Sequence, residues 1–224
     1  MRISEIFYSV QGEGSLMGVP SIFIRTSGCN LRCSWCDTPY TSWNPEGDEM
    51  TPEAILQRVS DWPQAGHVVV TGGEPFIAPG IVELTNLLRA RGLHITIETA
   101  GTVFAPVACD LMSISPKLSN STPQGSFRNQ HERLRLQPVV LRQLMAHCDY
   151  QLKFVIAAEA DLGEAQQVVA SVAAPASKVI LMPEGTSVET QNARSPWVSE
   201  LAKQHGYRFS PRLHIYLYGN KRGT

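Results

Sequence analysis

The amino-acid sequence predicts an α/β fold, namely a partial, open TIM-like β/α barrel of about six units. Short apolar runs rich in β-branched residues alternate with stretches of helical periodicity, and this pattern implies parallel strands joined by right-handed crossovers. The chain has 224 residues, whereas a closed barrel of eight units takes roughly 250. Since this length suits one domain with a substantial core, residues 1–224 are expected to form a single domain.

Six segments are predicted as strands because each is short, apolar and rich in β-branched or aromatic residues. They are residues 21–25, 67–71, 94–98, 111–115, 150–156 and 178–182, and residues 213–217 are a candidate for a last strand.

Helices are predicted between these strands wherever apolar residues recur at helical spacing. In 52–62 the apolar residues share one face, and Pro52 suits a first helical position. A second helix over 80–91 is expected to end at Gly92. Further helices are predicted over 162–172 and 195–205. The polar stretch 117–137 interrupts the alternation and is predicted to be an inserted surface loop.

The composition narrows the class of partner. Lys plus Arg (19) nearly balance Asp plus Glu (20), for a net charge of −1, so no global basic field favours binding to nucleic acid or to an anionic membrane. No apolar run approaches the roughly 20 residues that span a bilayer. The first fifteen residues also lack the features of a signal peptide. We therefore expect a cytoplasmic protein with neither a nucleic-acid nor a membrane partner.

Three of the five cysteines lie in the stretch GCNLRCSWCDT, at Cys29, Cys33 and Cys36. In a reducing compartment such clusters more often bind metal or do redox chemistry than form disulfides, and thiolate ligands suit zinc or an iron–sulfur cluster. A zinc site would need a distant fourth ligand, whereas a four-iron cluster would keep one iron open. Because the loop follows the strand predicted at 21–25, it is expected at the carboxyl end of the first barrel strand, where barrel active sites lie. Cys109 and Cys148 are expected to be packed residues.

A second motif, VVVTGGEP at 68–75, combines with CNLRCSWC to give a pattern that resembles the radical S-adenosylmethionine (SAM) enzymes. The Gly-Gly pair lets backbone approach a ligand closely, and the Glu74 carboxylate accepts hydrogen bonds. The resemblance implies a radical SAM core, with one 4Fe-4S cluster on the three cysteines and SAM on the open iron. It implies SAM contacts from Trp35, Cys36, Asp37, Gly73, Glu74, Ser115, Pro116 and Lys117.

Longer segments resemble one family in particular, the 7-carboxy-7-deazaguanine synthases of queuosine precursor biosynthesis. They are SVQGEGSLMGVPSIFIRTSGCNLRCSWCDT, TGGEP, IETAGT and SPK. This resemblance implies a carbon–nitrogen lyase that contracts the ring of 6-carboxy-5,6,7,8-tetrahydropterin to 7-carboxy-7-deazaguanine with loss of ammonia. It implies magnesium bound by Thr38, and a substrate site formed by Val10, Gln11, Gly12, Glu13, Arg25 and Thr71.

Within that site, Glu13 is suited to the guanidine-like edge of the pterin and Arg25 to its carboxylate. No residue is assigned as a general acid or base. The resemblance also implies a homodimer and a flavodoxin-type electron donor. The sequence leaves open whether residues 182–185 contact SAM and whether His214 reaches the substrate. The other histidines are expected at strand starts (His67, His94) or on the surface (His131, His147, His205).

Two alternatives remain at this point. A glycyl-radical-enzyme activase would share the three-cysteine loop, although QGEG, Arg25 and Thr38 favour the synthase. A zinc-stabilised RNA-binding module is disfavoured by the near-neutral charge and by the lack of clustered basic and aromatic residues.

Overall fold

The computed structural model describes all 224 residues and is organised around one nine-stranded sheet in the order β3-β1-β2-β4-β5-β6-β7-β8-β9. The strands are β1 (Arg2–Val10), β2 (Pro20–Thr26), β3 (Asp48–Glu49), β4 (His67–Gly72), β5 (His94–Thr99), β6 (Leu111–Ile114), β7 (Asp149–Ile156), β8 (Val179–Pro183) and β9 (Arg208–Phe209). The helices are α1 (Pro39–Ser42), α2 (Pro52–Val59), α3 (Ile81–Ala90), α4 (Arg128–Leu134), α5 (Pro138–His147), α6 (Asp161–Val172), α7 (Val188–Gln204) and α8 (Leu213–Tyr218).

The predicted fold class is confirmed, since β2 and β4 to β8 are consecutive parallel neighbours and the sheet does not close. All six predicted strands are present within a residue or two of their expected bounds. The sequence did not indicate β1, which pairs antiparallel with β2 and carries the short edge strand β3. None of the helices combines the length and the apolar character that crossing a lipid bilayer requires.

Two predictions about local structure are wrong. Residues 213–217 lie in helix α8, where only Ile215 is buried; a short apolar run does not distinguish a strand from a buried helix. The 117–137 segment is not a plain surface loop, because it contains α4 and a helical turn at Ser119–Ser121 in which Ser121 is buried. Helix α5 was not predicted, and α7 begins seven residues before the predicted helix at 195–205.

Successive side chains of a strand point to opposite faces of the sheet. One face therefore packs into the apolar core, and the other, concave face carries polar side chains. In β7, Leu152, Phe154 and Ile156 belong to a core cluster of 31 buried residues that also includes side chains of α2, α3, α5, α6 and α7. The intervening residues of β7, Gln151 and Lys153, point to the other face and are buried there. The same alternation in β2, β4, β5 and β6 gives the concave face of the sheet its polar groups.

Candidate active site

The polar groups of the concave face line a cavity of about 210 Å³ at the carboxyl ends of the parallel strands. Its wall includes Val10, Gln11, Gly12, Glu13, Arg25, Trp35, Asp37, Thr38, Thr71, Gly73, Glu98, Ser115, Lys117, Lys153, Met182, Glu184, Arg212, His214 and Thr224. The structure therefore brings together all six residues predicted to bind substrate and most of those predicted to bind SAM. The exceptions are Cys36, which lines the adjoining cavity, and Glu74 and Pro116, which lie on neither wall.

The three cysteines of the 29–36 loop line that adjoining cavity, of about 100 Å³, which shares Gly73 and Lys117 with the first. All three are free thiols. Burial raises the pKa of Cys29 to about 11 and that of Cys33 to about 12, so without a metal these thiols keep their protons near neutral pH, and a metal that binds the sulfurs displaces those protons. No group of three His, Cys, Asp or Glu side chains is arranged so that it could hold a single metal ion. Three thiols spaced around a common cavity fit a cluster of several irons.

The GGEP turn after β4 holds the cysteine loop in place. The Glu74 amide donates to Gly28 O at 2.9 Å, and the Gly28 amide donates to Thr41 O at 2.8 Å. A Cβ atom at Gly73 would lie 2.1 Å from Gly28 O, so a residue with a side chain does not fit here without displacing the loop.

The Glu74 side chain is fully buried and acts within the fold. Its carboxylate accepts hydrogen bonds from the Thr99 hydroxyl (2.8 and 2.9 Å), the Ala100 amide (2.9 Å) and the Phe76 amide (3.2 Å). Burial raises its pKa, although these donors oppose that effect. In this structure the Glu74 carboxylate is occupied by donors of the fold, and Gly73 is the part of the motif on the cavity wall.

The 117–137 segment covers the cysteine loop. Ser34 N donates to Ser121 O at 2.8 Å, and Trp35 Nε1 donates to Asn120 O at 3.0 Å. Leu134 packs against the small apolar cluster that contains Cys33. The segment is thus a structural cover for the site, although its polar composition predicted an exposed insertion.

His131 is the buried centre of this cover, with 1% of its surface exposed, so the prediction that it lies on the surface is wrong. Its Nδ1 accepts the Arg32 amide at 3.1 Å, which leaves the proton of the neutral ring on Nε2, 2.9 Å from Ser121 Oγ. Ser121 Oγ in turn donates to Leu118 O at 2.6 Å. Burial lowers the pKa of His131 and keeps the ring neutral.

The residues predicted near SAM converge beside the cysteine loop. Lys117 Nζ donates to Ser115 Oγ at 2.9 Å and lies 5.5 Å from the centre of the Trp35 ring. Met182 and Glu184 reach the same wall. This side of the cavity offers a cation, hydroxyl groups and an aromatic face, which suit a carboxylate, a ribose and an adenine.

Glu13 lies at the centre of a buried ionic network on the other side of the cavity. Lys153 Nζ binds Glu13 Oε2 at 2.8 Å and Glu98 Oε1 at 3.0 Å, and Arg212 Nε binds Glu13 Oε1 at 3.0 Å. Arg212 also pairs with Asp37. Burial by itself raises the pKa of Glu13, but Lys153 and Arg212 bring it far below its ordinary value. Glu13 is therefore an ionised acceptor in the cavity.

Lys153, Glu98 and Arg212 were missed as site residues. Polar side chains at alternate positions of the predicted strands 150–156 and 94–98 were a signal for the first two, because alternate residues share a face. Arg212 had no such signal, since it reaches Glu13 across 199 residues of sequence.

The other residues predicted to bind substrate differ in how many of their hydrogen-bonding groups already have partners within the protein. Arg25 Nε donates to Glu5 Oε1 at 2.6 Å, and the guanidinium makes no further hydrogen bond. Thr71 Oγ1 donates to Glu98 Oε2 at 3.0 Å. The Gln11 side chain points inward and donates to Ser21 Oγ at 3.0 Å.

Helix α8 closes the cavity above Gly12. Leu213 N donates to Gly12 O at 2.8 Å, and a Cβ atom at Gly12 would lie 2.0 Å from His214 Nδ1. His214 thus reaches the cavity wall, which the sequence had left open. Burial lowers its pKa.

Three free thiols on the loop after the first parallel strand, held by a GGEP turn at the second, define the class of the site as radical SAM. A family model described as the radical SAM superfamily matches residues 23–122. The superfamily implies a 4Fe-4S cluster and SAM, and the thiols and the adjoining cavity fit both.

Comparison with whole proteins identifies the family within that class. The chain is 48% identical over 231 residues to the 7-carboxy-7-deazaguanine synthase of Rhodopirellula baltica, covering 100% of this chain and 89% of that protein. It is 42% identical to the synthase of Halobacterium salinarum, over 98% and 91% of the two chains. The crystal structure of QueE from Escherichia coli matches with a TM-score of 0.71 and 27% identity, covering 95% of this chain and 94% of that one. The chain belongs to the 7-carboxy-7-deazaguanine synthase family.

The buried neutral state of His131 predicts a pH-dependent stability of the cover. In the unfolded chain a histidine takes up a proton near pH 6.5, whereas the folded ring resists protonation because burial lowers its pKa. The free energy of unfolding therefore decreases as the pH falls below about 6.5. At pH 5.5 the decrease that this ring causes is at most about 1.4 kcal/mol. In urea unfolding of the cluster-free protein, His131→Asn should lose less stability than the wild type between pH 7.5 and 5.5.

The exposed His205 provides the matched control, because His205→Asn removes a histidine without affecting the cover. Equal pH dependence in the wild type and His131→Asn would contradict the assignment of a buried neutral ring.

Proposed function

We propose that this chain converts 6-carboxy-5,6,7,8-tetrahydropterin to 7-carboxy-7-deazaguanine, with ring contraction and loss of ammonia. The observation that carries this proposal is the ionised carboxylate of Glu13, held by two buried cations inside a cavity that adjoins the three-thiol loop. A carboxylate in that position suits the guanidine-like edge of a pterin, whose N–H groups donate.

Cys29, Cys33 and Cys36 would hold the cluster, and the wall from Trp35 to Lys117 would hold SAM. When bound, the cluster and SAM supply the one-electron chemistry that removes a hydrogen atom from the substrate. The protein positions the substrate against SAM and excludes water from between them. The shared wall of the two cavities, at Gly73 and Lys117, supports this division of the site.

Glu13 and Arg25 would fix the two ends of the substrate. Each oxygen of Glu13 accepts from one cation, and an ionised carboxylate offers about four acceptor positions, so capacity remains for the pterin edge. Arg25 uses only Nε on Glu5, and the other guanidinium nitrogens are available to a substrate carboxylate. Lys153 and Arg212 would hold Glu13 ionised and oriented before substrate arrives.

Thr38 would hold magnesium beside the substrate carboxylate. Its side chain lines both cavities, and its hydroxyl has only weak protein partners, Thr41 Oγ1 at 3.4 Å and Cys36 Sγ at 3.9 Å. Magnesium prefers oxygen ligands and retains several waters, so one hydroxyl together with substrate oxygens is sufficient.

The proposal includes a flavodoxin-type electron donor, a homodimeric assembly and a cytoplasmic location. Five free cysteines support a reducing compartment. One core cluster that runs from Ile3 to Ala202 supports a single domain over residues 1–224.

The direct test is anaerobic incubation of the cluster-loaded protein with the carboxytetrahydropterin, SAM, magnesium and dithionite. Mass spectrometry should detect 7-carboxy-7-deazaguanine, with one ammonia released per product. Cleavage of SAM without this product would point instead to an activase. Purified protein with one zinc and no sulfide would point to a zinc-stabilised module.

Glu13→Gln keeps the shape of the side chain but removes its charge. Because a charge-assisted hydrogen bond to the pterin is lost and each of two buried cations loses one of its two carboxylate partners, we expect kcat/KM to fall roughly 100-fold. Iron and sulfide contents should stay at wild-type values. Asp110→Asn removes a carboxylate from an ion pair with Arg89 outside the cavity and should leave kcat/KM within about twofold. Wild-type turnover in Glu13→Gln would refute the assignment.

Thr38→Val should raise the magnesium concentration needed for half-maximal turnover by about tenfold or more, since one ligand hydroxyl is lost. Thr38→Ser keeps the hydroxyl and should restore the magnesium dependence of the wild type. A magnesium titration that is identical in all three proteins would show that Thr38 is not a ligand.

A further inference from the structure

We propose that Cys109 and Cys148 form a redox-active thiol pair, which a small disulfide such as oxidised glutathione converts to an intrachain disulfide bond. The two residues lie at the amino ends of β6 and β7, whereas the candidate active site lies at the carboxyl ends of the strands. Neither residue lines that cavity or the adjoining cavity of the cysteine loop. The inference is therefore independent of the proposed function.

Strand pairing brings the two cysteines side by side. β6 and β7 are parallel neighbours in which Leu111 lies opposite Asp149. Cys109 precedes Leu111 by two residues, and Cys148 immediately precedes Asp149. In strand geometry, an offset of one residue between neighbouring strands corresponds to Cα atoms about 6 Å apart, within the range of about 4.4 to 6.8 Å that disulfide bonds span.

A hydrogen bond on the other side of the pair also holds the two segments together. His147 Nε2 donates to Val107 O at 2.7 Å. The segments are therefore joined both before the cysteines, by this bond, and after them, by the pairing of β6 with β7. Because the backbone is held on both sides, the disulfide bond closes by rotation of the side chains rather than by movement of the strands.

The two thiols interact with each other, and they differ in acidity. The hydrogen bond between them is the largest cause of a raised pKa at Cys109 and of a lowered pKa at Cys148. Burial and the carboxylates of Asp110 and Asp149 oppose the effect at Cys148. The Cys109 thiol thus donates to the Cys148 sulfur and favours its thiolate form, which makes Cys148 the attacking nucleophile of the pair.

A small disulfide has access to the pair. Both side chains pack against the core cluster, as the sequence predicted, but each is partly exposed. The neighbouring residues His147 and Asp149 are exposed, so a small molecule reaches Cys148 from solvent.

The reaction consists of two thiol–disulfide exchange steps. The Cys148 thiolate attacks one sulfur of oxidised glutathione, forms a mixed disulfide and releases one glutathione thiolate. The Cys109 thiol then loses its proton, attacks the Cys148 sulfur and releases the second glutathione. Overall, two protein thiols lose two electrons and two protons, and one glutathione disulfide is reduced to two thiols.

The test detects the bond directly by mass spectrometry. The cluster-loaded protein is incubated anaerobically with oxidised glutathione, because a bound cluster protects the thiols of the 29–36 loop. Free thiols are then alkylated in urea, and the protein is digested with trypsin without reductant. The digest should contain peptide 92–117, which includes Cys109, linked to peptide 143–153, which includes Cys148. Dithiothreitol should separate the two peptides.

Two serine variants separate the exchange steps. Cys109→Ser removes the second thiol and should trap one glutathione on Cys148. Cys148→Ser removes the attacking thiolate and should give neither the linked peptides nor a glutathione adduct on Cys109. Wild-type protein in which both thiols remain alkylated after the incubation would overturn the proposal, as would a bond from either cysteine to the 29–36 loop. These two results come from the wild type, so they decide the question even if a variant folds poorly.

Thermal unfolding tests whether the bond fits the folded protein. An unstrained disulfide that closes a loop of roughly 40 residues restricts the unfolded chain, so Tm of the oxidised wild type should rise by roughly 5 °C or more. The same treatment should leave Tm of Cys148→Ser unchanged. A lower Tm in the oxidised wild type would show that the bond distorts the strands and would overturn the geometric argument.

Discussion

The site depends on the buried carboxylate of Glu74, which ties the ends of two strands to the cysteine loop. Its side chain accepts hydrogen bonds from the Thr99 hydroxyl at the end of β5 and from the Ala100 amide that follows, and its own amide donates to Gly28 O just before Cys29. A fully buried carboxylate is costly unless donors surround it, and each of those donors would in turn be left unpaired without it. The GGEP turn therefore fixes where the thiols lie relative to the sheet, and a ligand on the thiols meets the cavity at a set position.

Side-chain alternation explains why the cavity can be polar without weakening the core. Residues such as Phe154 pack outward against helices, while Lys153 beside it points into the concave face. The charges inside satisfy one another: Glu13 with Lys153 and Arg212, and Arg212 with Asp37. Buried ion pairs of this kind add little net stability, because desolvation offsets their attraction. What they provide is a set of charges already oriented before substrate binds.

The sequence predicted those features that depend on local pattern. Six strand segments follow from β-branched apolar runs and are present, and Cys29, Cys33 and Cys36, whose spacing placed them on one loop, line a common cavity. Features that depend on distant contacts were missed. Arg212 reaches Glu13 from the other end of the chain. The apolar residues of α8 are also compatible with a strand, but they form a helix that packs over Gly12. His131 sits in a polar stretch, and only the fold reveals that it accepts the amide of Arg32.

The 117–137 segment shows how a polar stretch of sequence contributes to a closed site. A radical site must exclude water and stray reactants. The inner side of the segment meets this demand, since His131, Ser121 and Leu134 seal the loop around Cys33. Its outer side carries exposed polar and charged residues such as Arg128, and these account for the composition that predicted a surface insertion. The few buried residues of the segment, rather than its average polarity, therefore decide how the cysteine loop is covered.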